Sequence, residues 1–424
     1  MSSKSLQAAK PKWVDCARKS WFTSHIVALE IAAHPGSAGG VGAVLRLIRS
    51  GDAVTRAALA QQTGLARSTV AQRVDALLAA GLIYEAGDTQ STGGRRPARL
   101  AFNHRAGIVL AADLGATHSR LAVTDLAGDP LAEMAFDMDI AEGPEWILGL
   151  VDDRFRKLLG EAKRAAADVR GIGMGVPGPV EFASGRPVNP PIMPGWHGFS
   201  IPDWFAERYG SVPVLVDNDV NIMALGEHWA HWRDVEHLLY VKVGTGIGCG
   251  IVVDRRIHRG AEGAAGDIGH IMVTHDPSVV CRCGNIGCLE AVAGGRALAL
   301  NLAAAGYAAE RSRDVVRLVR EGNADAIRMV REAGRSLGEV LASLVNFFNP
   351  RTIVVGGDMS EVHEQLLAGV RETVFRRSLP LATRDLRIVT SQLGDRAGVM
   401  GAAILVIEHV LAPAAVDQAL RAVA

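Results

Sequence analysis

The sequence predicts an α/β protein in two parts, a small winged helix-turn-helix head and a larger two-lobed body built on a repeated α/β unit. Three observations carry this. Between Val44 and Phe102, three short helical patterns precede two strand patterns around a polar loop. From Gly107 onward, a strand, a glycine-rich turn and a second strand occur twice. Charge divides at the same boundary: the 45 basic and 45 acidic side chains cancel over the 424 residues, yet residues 1–104 carry a net +7 and the remainder a net −7. A basic head on an acidic body suggests two separate tasks.

Composition removes several classes. A hydrophobic share of 49% supplies several cores and excludes bulk disorder, and 47 glycines without a triplet period exclude a collagen-like chain. Length suggests about three domains. No clean secretory signal is present, and the apolar run Val399–Val416 holds Glu408 and His409. It reads as a buried helix rather than a membrane span. A cytoplasmic location with no membrane partner is therefore expected.

Residues 1–40 end in a Pro-Gly-Ser-Ala-Gly-Gly breaker cluster and read as an extension and linker. The head is expected over 41–104. Val44, Leu45, Leu47 and Ile48 mark its first helix, Thr55 opens a second, and Gly64-Leu65-Ala66 turns into a third over Ser68–Ala80. On that third helix Val70, Val74, Leu77 and Leu78 share one face, leaving Ser68, Thr69, Gln72 and Arg73 on the other. Leu82–Glu85 and Ala98–Phe102 read as strands around a loop with Gly93, Gly94, Arg95 and Arg96. Such a head offers recognition-helix side chains to the major groove and a basic wing to phosphates, so duplex DNA is the expected partner. The candidate contacts are Arg67, Ser68, Thr69, Gln72, Arg73, Arg95 and Arg96. Any small three-helix domain also turns polar residues outward.

The body is expected as a first lobe over 105–225, joined by a C-terminal helix over 396–424, and a second lobe over 226–395. Its repeated unit runs Ile108–Asp113, Leu114–Thr117 and Arg120–Thr124, then His237–Val243, Gly244–Gly248 and Cys249–Val253. A third glycine turn, Gly356-Gly357, follows the strand Thr352–Val355. Turns of this kind bring backbone N–H groups close to phosphate oxygens, which makes Gly115, Thr117, Gly244, Thr245, Gly246, Gly356 and Gly357 phosphate candidates. Asp113 is a candidate for Mg²⁺. Hairpin turns without ligands have the same composition.

Val214–Asn221 delivers Asp217, Asn218 and Asp219 from an apolar strand into the expected cleft. A carboxylate there suits proton abstraction from a sugar hydroxyl attacking a γ-phosphate; an Asx turn capping the next helix fits equally well. The strongest local signal is His270 with Cys281, Cys283 and Cys288. Three thiolates and one imidazole form a closed tetrahedral set suited to a structural Zn²⁺.

On these motifs, Gly266–His270 with Cys281–Glu290 and Asp217–Asn221, the chain resembles the ROK family (repressors, open reading frames, kinases) from about residue 44 to 410. The resemblance implies an actin-like, hexokinase-type fold that binds sugar between its lobes, usually as a homodimer or homotetramer. It implies that Asn218, Asp219, Asp267, His270 and Glu290 bind sugar hydroxyls, that Asp219 is also the base in kinase members, and that His270 touches sugar and zinc through its two ring nitrogens. Two departures weigh against catalysis: Ala116 and Asp267 stand where the kinases have Gly and Glu. The expectation is a sugar-responsive regulator, acting as a repressor of carbohydrate genes on a palindromic operator. The alternatives are an ATP-dependent sugar kinase using Mg-ATP and retaining the head, or a hub whose signal is another protein.

Overall fold

The computed structural model describes residues 39–86 and 98–423; the N-terminal extension and the wing segment with Arg95 and Arg96 lie outside the described residues. The head's helices are α1 (Val41–Ser50), α2 (Arg56–Thr63) and α3 (Arg67–Ala79), followed by strands β1 (Ile83–Ala86) and β2 (Arg99–Phe102). Thr55 opens α2 as its spacing predicts, the hydroxyl accepting from Ala58 N at 3.2 Å. The i, i+4, i+7 set Val70, Val74 and Leu77 is fully buried, and Leu45, Leu59 and Leu100 are buried with it. The strands pair antiparallel, Ile83 opposite Phe102 and Ala86 opposite Arg99. Arg56 donates to Glu85 at 2.7 Å, tying α2 to the ribbon.

The body's first lobe contains β3 (Ile108–Leu114), β4 (His118–Asp125), β5 (Pro130–Asp137), α4 (Pro144–Glu161), β6 (Val169–Val176), the hairpin β7 (Val180–Glu181) and β8 (Arg186–Pro187), α5 (Ile201–Tyr209) and β9 (Val214–Asn218). Then α6 (Asp219–His231) leads to the second lobe, with β10 (Leu238–Val243), β11 (Ile247–Val253), β12 (Arg256–Ile257), α7 (Leu289–Ala293), α8 (Gly295–Ala304), α9 (Ser312–Arg320) and α10 (Ala324–Phe348). Finally come β13 (Thr352–Gly356), α11 (His363–Arg377), α12 (Pro380–Thr383), β14 (Arg387–Thr390) and α13 (Ala397–Val410).

The repeat read from the sequence extends to the topology. One sheet has the order β5-β4-β3-β6-β9 and the other β12-β11-β10-β13-β14. In each, the first strand pairs antiparallel with the second and parallel with the fourth. Phe155, Trp196 and Phe205 fill the first lobe's core, and α10 and α11 supply much of the second's. Between the lobes' sheets, α13 packs on β3 and β6 and against α6.

The C-terminal segment differs from expectation. Residues 396–424 are not one helix of the first lobe: α13 ends at Val410, and α14 (Pro413–Val423) begins anew. Pro413, lacking an N–H, cannot continue α13 yet suits a first helical position. α14 packs on α1 and so belongs with the head. The N-cap of α1 is Gly40, which has no side chain to cap with, and Asp417 of α14 supplies the acceptor instead, its Oδ1 taking the Gly42 N–H at 2.8 Å. Among the described residues, no single helix is long and apolar enough to cross a membrane.

Asp417→Ala removes this cap at a cost of about 1 kcal/mol. Hydrogen exchange is expected to show roughly fivefold faster opening of the α1 amides, with protection of the body unchanged.

Candidate functional site

A cavity of about 1190 Å³ lies between the lobes and collects side chains from both repeats. Asn218, Asp219, Asp267, His270 and Glu290 all line it, as do Asp113, Gly115, Gly244, Thr245, Gly246 and Gly357. Thr117 and Gly356 do not line it. Gly356 is buried in β13, where a Cβ would stand 1.9 Å from the Tyr240 hydroxyl.

At the β9–α6 junction, Asp217 is buried and saturated. Its Oδ1 accepts from Asn218 N at 2.8 Å and Asn221 Nδ2 at 2.9 Å, and its Oδ2 from Arg259 Nε at 2.8 Å. Arg259 also lies 3.8 Å over the Phe182 ring, which holds the 258–267 segment against the first lobe. Asn218 is the helix cap, its Oδ1 accepting from Val220 N at 2.9 Å while Nδ2 donates to Gly178 O at 3.0 Å. Asp219, with its side chain 6% exposed, stands at the first position of α6, and its Oδ2 accepts from Lys242 Nζ at 2.5 Å. The sequence reading passed over Lys242. Its signal was a single charge inside the otherwise apolar strand Leu238–Val243.

The β10–β11 turn is held from within the protein. Gly244 N donates to Gly246 O at 3.0 Å, and Ile247 N donates to Glu290 Oε2 at 3.2 Å. Glu290 therefore buttresses the turn while facing the cavity, and two of the turn's N–H groups are already committed.

His270, Cys281, Cys283 and Cys288 bring one ligand atom each to within 4.8 Å of one another. A tetrahedral ion with bonds of about 2.3 Å to sulfur and about 2.05 Å to nitrogen separates two sulfurs by about 3.75 Å, and sulfur from nitrogen by about 3.55 Å. Cys283 Sγ and Cys288 Sγ are 3.7 Å apart, and Cys281 Sγ is 3.6 Å from His270 Nδ1. The donor set thus fits such an ion in type and spacing. With Nδ1 turned to the thiols, His270 points Nε2 toward Asp267 Oδ1 at 3.8 Å, on the cavity side.

On the head, Arg67, Ser68 and Gln72 are exposed along one face of α3, and Thr69 is half-buried among them. Arg73 differs from expectation: its guanidinium turns back beside Gly39, with Nη1 buried and, among the described residues, without a hydrogen-bond partner. That posture withdraws it from the outward face.

Asp113 ends β3 against α13, where a Cβ on Gly398 would lie 1.9 Å from its carboxylate. Burial pushes the Asp113 carboxyl from 3.8 up to about 7, with Lys242 opposing and Asp219 adding to the shift. The folded chain therefore binds this proton more tightly than the unfolded chain does. By linkage, its contribution to stability falls as pH rises from about 4 to about 7 and levels off above. Relative to the wild type, Asp113→Asn is expected to flatten that slope in melting temperature measured across the range.

The chain as a whole is similar to known proteins. Residues 109–409 match the ROK family and residues 42–84 a winged helix-turn-helix DNA-binding family. A xylose repressor from Caldicellulosiruptor bescii is 33% identical over 382 residues, which span 87% of this chain and 95% of that protein. The crystal structure of a ROK family transcriptional regulator, a homologue of the Escherichia coli MLC protein, superposes with a TM-score of 0.75 at 26% identity, covering 90% of this chain and 98% of that one. A ROK family glucokinase from Streptomyces griseus, solved with glucose and AMPPNP, gives 0.60 at 28% identity over 70% of this chain and 99% of its own. The kinase match covers 70% of the chain and the regulator matches 87% and 90% of it, and with residues 109–409 matching the family the chain belongs to the ROK family.

Proposed function

We propose that this chain is a sugar-responsive, DNA-binding transcriptional regulator of the repressor type, with its effector bound in the interlobe cavity. One observation carries the reading: a single chain joins an exposed polar and basic α3 face to a cavity lined by Asn218, Asp219, Asp267, His270 and Glu290. Carboxylates and an imidazole at fixed spacing suit paired sugar hydroxyls, and a cavity of this size holds a monosaccharide with room for the lobes to close. A sugar with different affinities for two lobe arrangements shifts the balance between them, and the heads respond through that balance. The name of the xylose repressor relative makes xylose the first sugar to try.

Homodimers or homotetramers would present paired heads to a palindromic operator with half-sites about one helical turn apart. The Cys₃His cluster would hold a structural Zn²⁺ that fixes the ring of His270. The phosphotransfer reading has less support, because Ala116 replaces a turn glycine, Glu290 occupies the β10–β11 turn and Lys242 engages Asp219.

Gel shifts on the chain's own upstream DNA, with and without a sugar panel, test the reading; absence of any sequence preference at moderate salt would overturn it. Arg67→Ala is expected to weaken binding to all sequences and to reduce the slope of log K against log salt by about 1. Gln72→Ala is expected to lose about 1–3 kcal/mol at one base position and leave the others unchanged. Chelation of the zinc is expected to lower the melting temperature of the body and abolish the sugar response, and unchanged melting after confirmed metal removal would count against the structural ion.

A further inference from the structure

We propose that the Lys242 ammonium is a resident counter-ion to Asp219 in the cavity that Asp113 also lines, occupying the charge position that a divalent cation would need, so that the cleft binds its sugar without metal or metal nucleotide. The inference rests on the interlobe cavity being the sugar site.

Asp113 ends β3 in one lobe, Lys242 sits on β10 of the other, and Asp219 begins the helix that joins them. All three line the cavity. Two acidic side chains lining one cavity, as Asp113 and Asp219 do from the ends of β3 and β9 in the first lobe's sheet, are a usual setting for Mg²⁺, which takes its ligands as oxygens in a near-octahedral shell. Here the approach is taken. Lys242 Nζ lies 2.5 Å from Asp219 Oδ2, and the side chain is only 21% exposed. Burial by itself would drive the Lys242 proton off, but Asp219 and Asp113 together more than offset this and hold its affinity above the ordinary lysine value. The ammonium is thus fixed as a cation, and a second cation beside it would meet like-charge repulsion at close range. The other walls do not release it: Arg120 is already paired with Asp395, and Arg313 lies 3.8 Å from Asp137.

Two consequences follow for the cleft. The Asp219 oxygen nearest Lys242 already accepts a proton donor, so the carboxylate is positioned to receive a hydroxyl hydrogen bond at its other oxygen. Phosphotransfer loses the ion that would bridge the nucleotide to the protein. Lys242 is therefore a positioning residue for Asp219 and the determinant that separates binding from metal-dependent chemistry.

The test needs neither sugar nor DNA, so its outcome is independent of whether the regulator reading holds. Mn²⁺ alone is titrated into the full-length, zinc-loaded protein and free ion is followed by electron paramagnetic resonance, for wild type, Lys242→Met, Lys242→Arg, Asp113→Asn and the Lys242→Met/Asp113→Asn double variant. The wild type and Lys242→Arg are expected to show no cleft site up to about 1 mM, Lys242→Met to gain one Mn²⁺ at least about tenfold tighter, and the double variant to lose it again. Binding by the wild type that Asp113→Asn removes would overturn the proposal, as would a folded Lys242→Met that gains nothing. Should Lys242→Met fail to fold, the comparison of wild type with Asp113→Asn still decides between the two.

Discussion

The close crossing of α6 and α13 is the constraint on which the body depends. A Cβ on Gly401 would stand 1.7 Å from Ile222 O, so the two helices meet backbone to backbone. That approach places the first turn of α13 against Asp113 and the first turn of α6 at the cavity wall, so two acidic groups from distant parts of the chain converge. Any side chain at Gly401 or Gly398 would force the helices apart or displace Asp113, a cost of the overpacking kind, about 1–3 kcal/mol or more. The binding geometry and the packing are therefore one problem, solved by small residues on a buried helix.

Much of this was legible because it is local. Strand-turn-strand repeats, a recognition-helix face and three cysteines within eight residues are patterns over short windows, and the sheets and the ligand cluster have the form those patterns imply. What escaped was set by contacts across the chain. Lys242 carries no motif; only the fold shows that it meets Asp219, 23 residues away on another element. Asp417 meets Gly42 across 375 residues, and hydrophobic periodicity over Val399–Val416 ran through a break that Pro413 alone announced. Arg73 had the right spacing for an outward face, yet the side chain folds back, because periodicity fixes where a Cα sits and not which rotamer a long side chain takes.

The division of charge survives the structural redefinition of the head. α14 adds one acidic and one basic residue, Asp417 and Arg421, so the unit that includes it keeps the net +7 of residues 1–104. Attraction to a duplex thus resides in the head, while the body's negative balance favours the orientation that keeps it from the phosphates. The cavity follows a separate electrostatic logic, in which charges on its walls are paired with neighbours: Lys242 with the buried Asp219, and Arg120 with the exposed Asp395.

The cap that Asp417 places on α1 also orders events during synthesis. The helix that opens the head is translated early, but its acceptor arrives only after the entire body has passed through the ribosome. A nascent chain holding only the first hundred or so residues has a recognition helix on a head still missing one of its fastenings. The last fastening of the DNA-reading unit therefore closes only once the whole body has been translated.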